Sequence, residues 1–184
     1  DLSHRRSLKQ LQNLSVDVVV HLATKIKASG ENPAQEAYRL NQRMLELLLM
    51  LEKPILYCSS TVVHWSRETP YVQSRKDDEQ RLRSSGIPYG ILRPSAPYGP
   101  RLLCHKPKHK ESFHTLADFI RYAPFVPMIS HGNYKRQPIH VRDFARAGLS
   151  MIELGLDNGE FDAGGSECLS MRSIIETIAL KVNR

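Results

Sequence analysis

Apolar and polar positions alternate along the chain at two different periods, and the changes of period divide it into elements. Val16-Asp17-Val18-Val19-Val20-His21-Leu22 is a run of β-branched residues that predicts a buried strand. From Pro33 to Leu51 the period changes, with Tyr38, Asn41, Leu45 and Leu48 recurring at spacings of three and four. That spacing is one face of a helix, and Pro33 suits its first turn. Pro54 to Ser59 predicts a second strand, Tyr71 to Ser85 a charged helix closed by Gly86, and Tyr89 to Arg93 a third strand stopped by Pro94. Ahead of these, Ser7 to Leu14 predicts a short helix with Ser7 at its cap.

Beyond Pro100 the pattern loosens. Residues 101 to 112 form a basic loop, followed by a helix from Thr115 to Tyr122 and a strand from Gln137 to Val141. Asp143 is placed to cap a helix through Ala145, Leu149 and Ile152. Glu160 to Ala163 predicts a strand ending at Gly164-Gly165, and Ser170 caps a last helix, Met171 to Lys181. Strand, helix, strand, helix, strand with apolar strands implies α/β architecture, a parallel sheet covered on both faces. The division expected is residues 1–100 holding the sheet and 101–184 as a small lobe interleaved with the last sheet elements.

Composition narrows the partners. The 184 residues carry a net charge of +7, with 41% hydrophobic, 24% charged and 7% aromatic residues. The charge suits an anionic ligand, whereas the few aromatics advertise no base-stacking surface, so a nucleic-acid partner is not favoured. Much of the excess is local: Lys106, Lys108 and Lys110 lie with His105 and His109 in one solvated stretch. Cys104, His105, His109 and His114 match no ordered zinc spacing, and no metal site is expected. Three widely separated cysteines suit a reducing, cytoplasmic compartment. No stretch reaches the roughly 18 apolar residues of a membrane span, and no signal peptide opens the chain.

Chemistry enters with Tyr71 and Arg75, four apart on one helical face. A cation near a phenol favours the phenolate, making a tyrosine usable as an acid/base near neutrality. Ser59-Ser60-Thr61 closes the preceding strand, where a hydroxyl faces the crevice in which open α/β sheets bind ligands.

This order of motifs resembles the extended short-chain dehydrogenases/reductases of the epimerase/dehydratase kind. Asp17 to Ala23 resembles the D-V-V-I-H-L-A strand lying against the cofactor, and Asn41 the asparagine of the helix that follows. Tyr57-Cys58-Ser59-Ser60 resembles the strand bearing the catalytic hydroxyl, with Ser60 the best match. Tyr71-Val72-Gln73-Ser74-Arg75 stands where the family has Y-x-x-x-K, and Glu79 matches a glutamate four residues on. Leu92-Arg93-Pro94 with Tyr98-Gly99-Pro100 resembles the segment near the nicotinamide, and Arg136 to Asp143 resembles R-x-x-I-H-V-x-D.

The resemblance implies a Rossmann-like sheet lacking its first strands, with a C-terminal substrate lobe. It implies Ser60, Tyr71 and Arg75 as catalytic residues. Asp1, Leu22, Ala23, Asn41, Ser59, Tyr71, Arg75 and Pro94 would bind NAD or NADP, and Ser60 and Arg136 the substrate, a small molecule of the nucleotide-sugar kind. Two departures stand out. Arginine replaces the lysine, keeping the charge but with a larger planar head, and the adjacent Lys76 lies about 100° round the helix. None of the ten glycines makes the G-x-x-G-x-x-G pyrophosphate turn, and Asp1-Leu2 resembles the residues after the family's third strand. A sheet begun there leaves an apolar edge that invites pairing with a second copy, a homodimer. The alternative reading is a non-catalytic binding or scaffold relative.

Overall fold

The computed structural model describes residues 11–12, 15–26, 28–100, 112–123 and 125–182. The predicted first helix lies almost wholly outside these residues, as do Asp1 and the basic stretch 101–111. Among the described residues the elements are β1 (Val19–His21), α1 (Pro33–Leu49), β2 (Ile55–Cys58), a 3₁₀ turn (Thr61–His64), α2 (Pro70–Arg83), β3 (Tyr89–Pro94) and β4 (Ala96–Tyr98). They continue with α3 (Ser112–Tyr122), β5 (Lys135–Arg136), β6 (Pro138–His140), α4 (Val141–Glu153), β7 (Gly159–Ala163), β8 (Leu169–Ser170) and α5 (Met171–Lys181). The fold is α/β with a parallel central sheet, as the alternating pattern implied.

The chain divides into two compact units. The first comprises residues 1–94 and 146–163 and holds the four-stranded parallel sheet in the order β1-β2-β3-β7. Register runs straight across it: Val20 lies opposite Leu56, Leu56 opposite Gly90, and Gly90 opposite Gly159. A parallel pair cannot close through a tight turn, so each link among the first three strands is a helix. Both helices start on matching signals. Asn32 accepts from the Gln35 amide ahead of Pro33, and Thr69 accepts from the Val72 amide ahead of Pro70. Past α2, Gly86 takes φ +71°, a backbone state costly for a side-chain-bearing residue.

Leu45 and Leu48 of α1, Leu82 of α2, and Ile55, Tyr57 and Ile91 of the sheet form the core of this unit. Gly90 permits a close approach: a Cβ there would lie 2.8 Å from both Leu156 Cδ2 and Met151 Cε. Only Val19–His21 of the predicted Val16–Leu22 strand pairs, because β2 itself is four residues long. Val20 within that short ladder and Leu22 just beyond it remain exposed.

The second unit comprises residues 95–145 and 164–184. It is built on two small ladders, β4 parallel to β6 and β5 antiparallel to β8, with α3 packed against α5. Ile120, Ile139 and Ile174 are its buried apolar side chains. Ser170 caps α5 as predicted, accepting from Ser173 N at 3.1 Å. Asp143 is not a cap: α4 already begins at Val141, and Asp143 sits inside its first turn, where its charge still complements the helix dipole. No described helix is long and apolar enough to cross a membrane.

Candidate functional site

In the first unit the residues of interest gather where β1, β2 and β3 end and α2 begins. After β1 the chain runs through exposed Leu22 and Ala23 to Lys25. Asn41, fully buried on α1, clamps that segment: its Oδ1 accepts from Lys25 N at 2.8 Å and its Nδ2 donates to Lys25 O at 2.9 Å. An amide that satisfies both backbone groups of one residue fixes the loop without a charge.

After β2 the two serines part. Ser59 is buried and donates its hydroxyl to Glu79 Oε1 at 2.6 Å. Ser60 is half-buried and caps the 3₁₀ turn, accepting from Val62 N at 3.4 Å. That turn packs on α2, whose first turn carries half-buried Tyr71. Pro94, also half-buried, ends β3, and its carbonyl accepts from the Thr61 hydroxyl at 3.5 Å. Ser60, Tyr71 and Pro94 thus lie on neighbouring elements at the carboxyl edge of the sheet, with Leu22 and Ala23 one strand further on.

Arg75 goes inward. It is 1% exposed, its Cζ lies 5.3 Å from the Tyr57 ring centre and 5.6 Å from that of Tyr71, and Nη2 donates to Asp78 Oδ2 at 3.0 Å. Asp78 also accepts from the Tyr57 hydroxyl at 2.7 Å and from Gln42 Nε2 at 2.7 Å. Among the described residues Arg75 Nε has no hydrogen-bond partner. Burial, with Arg75 secondary, lowers the His21 pKa to about 4, so this imidazole on β1 is neutral. Burial likewise raises the Cys58 thiol to about 11 and makes it a poor nucleophile at neutral pH. Lys76 faces away and pairs with Glu68 at 2.5 Å, as its helical angle required.

Below the strand ends lies a second charged system that sequence reading had noted only as motif letters. Arg93 donates Nε to Glu79 Oε1 and Nη2 to Glu79 Oε2, both at 2.7 Å, and reaches Glu160 at 2.5 Å. Arg83 bridges the same two carboxylates, at 2.9 Å to Glu79 and 2.7 Å to Glu160. The hydrogen bonds from Arg83, joined by those from Arg93 and opposed by burial, lower the Glu160 pKa to about 2. Through Ser59, Glu79 ties the end of β2 to α2 and β3. Asp78 was missed altogether; its signal was a carboxylate three residues after a basic residue on the same helical face.

In the second unit Arg136 is exposed on β5, its Cζ 6.0 Å from the Tyr134 ring centre. A cavity of about 450 Å³ in the same unit is lined by Tyr98, Phe113, His140 and Ile174 among others. Among the described residues no group of three or more potential metal ligands forms a site.

The sequence profile of the NAD dependent epimerase/dehydratase family matches residues 1–164. No curated protein sequence matches the chain. Among solved structures, UDP-glucose 4-epimerase of Thermotoga maritima superposes with a TM-score of 0.80 at 18% identity, over 100% of this chain and 67% of its own. ADP-L-glycero-D-manno-heptose-6-epimerase of Helicobacter pylori gives 0.78 at 18% identity, over 99% of this chain and 64% of its own. dTDP-glucose 4,6-dehydratase of Bacillus anthracis, solved with NAD, gives 0.77 at 17% identity, over 100% and 63%. The chain therefore spans about two thirds of the length of these structures.

Proposed function

This chain belongs to the NAD dependent epimerase/dehydratase family, and we propose that it serves NAD- or NADP-dependent chemistry at a hydroxyl-bearing carbon of a nucleotide sugar. The observation that carries this is the position of Ser60, Tyr71 and Pro94 on neighbouring elements at the carboxyl edge of a parallel sheet, where open α/β folds bind ligands. The nucleotide-sugar class is supported by the names of the similar structures and by Arg136, whose exposed planar fork suits a diphosphate.

The residues present fit the nicotinamide half of a dinucleotide, with one exception. Leu22 and Ala23 are exposed after β1 on a segment held by Asn41, and Tyr71 and Pro94 are half-buried at the same carboxyl edge of the sheet. Ser59 contributes through its bond to Glu79, shaping the strand end rather than reaching out. Arg75 is the exception, being enclosed. A bound dinucleotide would supply the hydride acceptor and donor. Tyr71 would take or give the hydroxyl proton, and Ser60 would orient the substrate oxygen. A second reading, a binding or scaffold protein without turnover, is favoured by the enclosure of Arg75.

Calorimetry with NAD and NADP, together with turnover assays on UDP-, dTDP- and ADP-sugars, tests the proposal. Binding weaker than micromolar is expected, because no Gly-rich turn is present to hold the pyrophosphate. Tyr71→Phe should lower turnover by about two orders of magnitude with cofactor affinity unchanged. Near-full turnover in Tyr71→Phe would sink the acid/base assignment. Cofactor binding without turnover of any substrate would support the scaffold reading.

A further inference from the structure

We infer that Asp78 is a positioning residue that holds the Arg75 guanidinium inside the core and cancels its charge, so that Tyr71 faces a neutral Arg75–Asp78 pair rather than a lone cation. The two side chains are 1% and 0% exposed and meet at 3.0 Å. Asp78 is anchored independently of Arg75 by Tyr57 from β2 and Gln42 from α1, so the carboxylate is fixed and the guanidinium comes to it. The remaining contacts of Arg75 do not oppose this. Nη2 shares the Ser74 hydroxyl at 3.4 Å, Nε has no acceptor, and the two aromatic faces accept a planar cation without a directed bond.

Burial pushes the Asp78 carboxyl up, while Arg75 and the Tyr57 hydroxyl pull it down. Protonating it would leave Arg75 as an uncompensated buried cation, the costlier state, so the two ionise as a unit. The other groups facing the pair do not replace either charge. His21 on β1 is neutral, and Tyr57 and Cys58 on β2 are held protonated by burial. Asp77 and Arg81, the further charges of α2 acting on Asp78, are of opposite sign to each other. Lys76 is engaged by Glu68. A paired charge exerts a much smaller field than a bare one, and the Tyr71 ring centre lies 5.6 Å from the guanidinium carbon of the pair.

The inference rests on Tyr71 as the acid/base of the proposed function, but it is tested without turnover. The phenol of Tyr71 is titrated in the 184-residue chain, with no cofactor or substrate, by absorbance near 295 nm, and the Tyr71→Phe spectrum in the same background is subtracted. Asp78→Asn should move the Tyr71 titration to lower pH and Arg75→Gln to higher pH, each on the order of one pH unit, the scale of an unpaired charge at this range. The double variant Arg75→Gln/Asp78→Asn should return it to the wild-type position. Replacing a buried ion pair by neutral groups is often tolerated, so the double variant decides the matter even where a single variant does not fold. A rise of about one unit in the double variant would show that Arg75 acts on Tyr71 despite Asp78, and would overturn the inference. That result would leave the proposed chemistry standing, whereas absence of turnover in the wild type would leave the titration result intact.

Discussion

Helix α2 carries two ion-pair systems one residue apart in sequence, and they are opposites. Arg75 and Asp78 form a dry pair, finished by neutral donors and leaving one guanidinium nitrogen unsatisfied. Glu79 and Arg83 belong to a network with Arg93, Glu160 and Asp162, in which Glu160, Asp162 and Arg83 reach solvent. The dry pair gains little net stability because desolvation offsets attraction, yet breaking it is costly. The wet network shares Glu79 and Glu160 each between Arg83 and Arg93, so losing one member leaves these carboxylates compensated. The lesson is that helical spacing alone does not give a salt bridge its meaning; the environment of each partner does.

The largest expected effect breaks the dry pair. Asp78→Ala should cost about 3–5 kcal/mol in urea unfolding by leaving Arg75 uncompensated, whereas Arg75→Gln/Asp78→Asn, which removes both charges and keeps an acceptor for Tyr57 and Gln42, should cost clearly less. Equal losses in the two would remove the distinction drawn between the systems.

Acid separates the two next. The folded-state pKa of His21, about 4, lies below its ordinary 6.5, so the unfolded chain takes up this proton first. Its contribution is full above pH 6.5 and declines as pH falls toward 4, by at most about 3 kcal/mol. Glu160 is lowered from 4.5 to about 2, so its contribution is full above 4.5 and is lost as pH falls through 2. With a quarter of its side chain exposed, screening reduces that contribution to about 2 kcal/mol. Urea midpoints between pH 7 and 2 should show two descending segments, the upper one absent in His21→Phe.

Glu79→Ala should cost about 2 kcal/mol, less than Asp78→Ala, because Arg93 and Arg83 keep Glu160 while Ser59 loses its acceptor. A loss above that of Asp78→Ala would reverse the ranking of the two systems. Lys76→Ala, which breaks the pair with Glu68 on the outer face, should change stability by no more than about 0.5 kcal/mol. A larger change would mean that exposed pairs of α2 also carry weight.

Much of this was legible from residue order. Tyr71 and Arg75 were read as sharing a face, and the guanidinium does lie against the Tyr71 ring. Lys76 was read as turned away, and it is. The three strands and two helices from Val19 to Pro94 follow the apolar periods and cap residues closely. The short ladders β4 with β6 and β5 with β8 were harder to see, because pieces of two or three residues carry too few side chains to show a period of two. Ser59 and Ser60, adjacent and chemically alike, could be ranked by resemblance but not separated by environment.

By itself the sequence determined the alternation of strands and helices from Val19 to Pro94, the parallel α/β class and the family, because these follow from local period, capping and strand connection. Only the tertiary structure decided where Arg75 spends its charge. Asp78 lies three residues after Arg75 and Tyr71 four before it, so the guanidinium had two neighbours within reach on one helical face. Tyr57 and Gln42, brought in from β2 and α1, bind and dehydrate Asp78 and so make it the partner the guanidinium bonds. Such a choice depends on groups distant in sequence and on exclusion of water, and neither is written in the spacing along one helix.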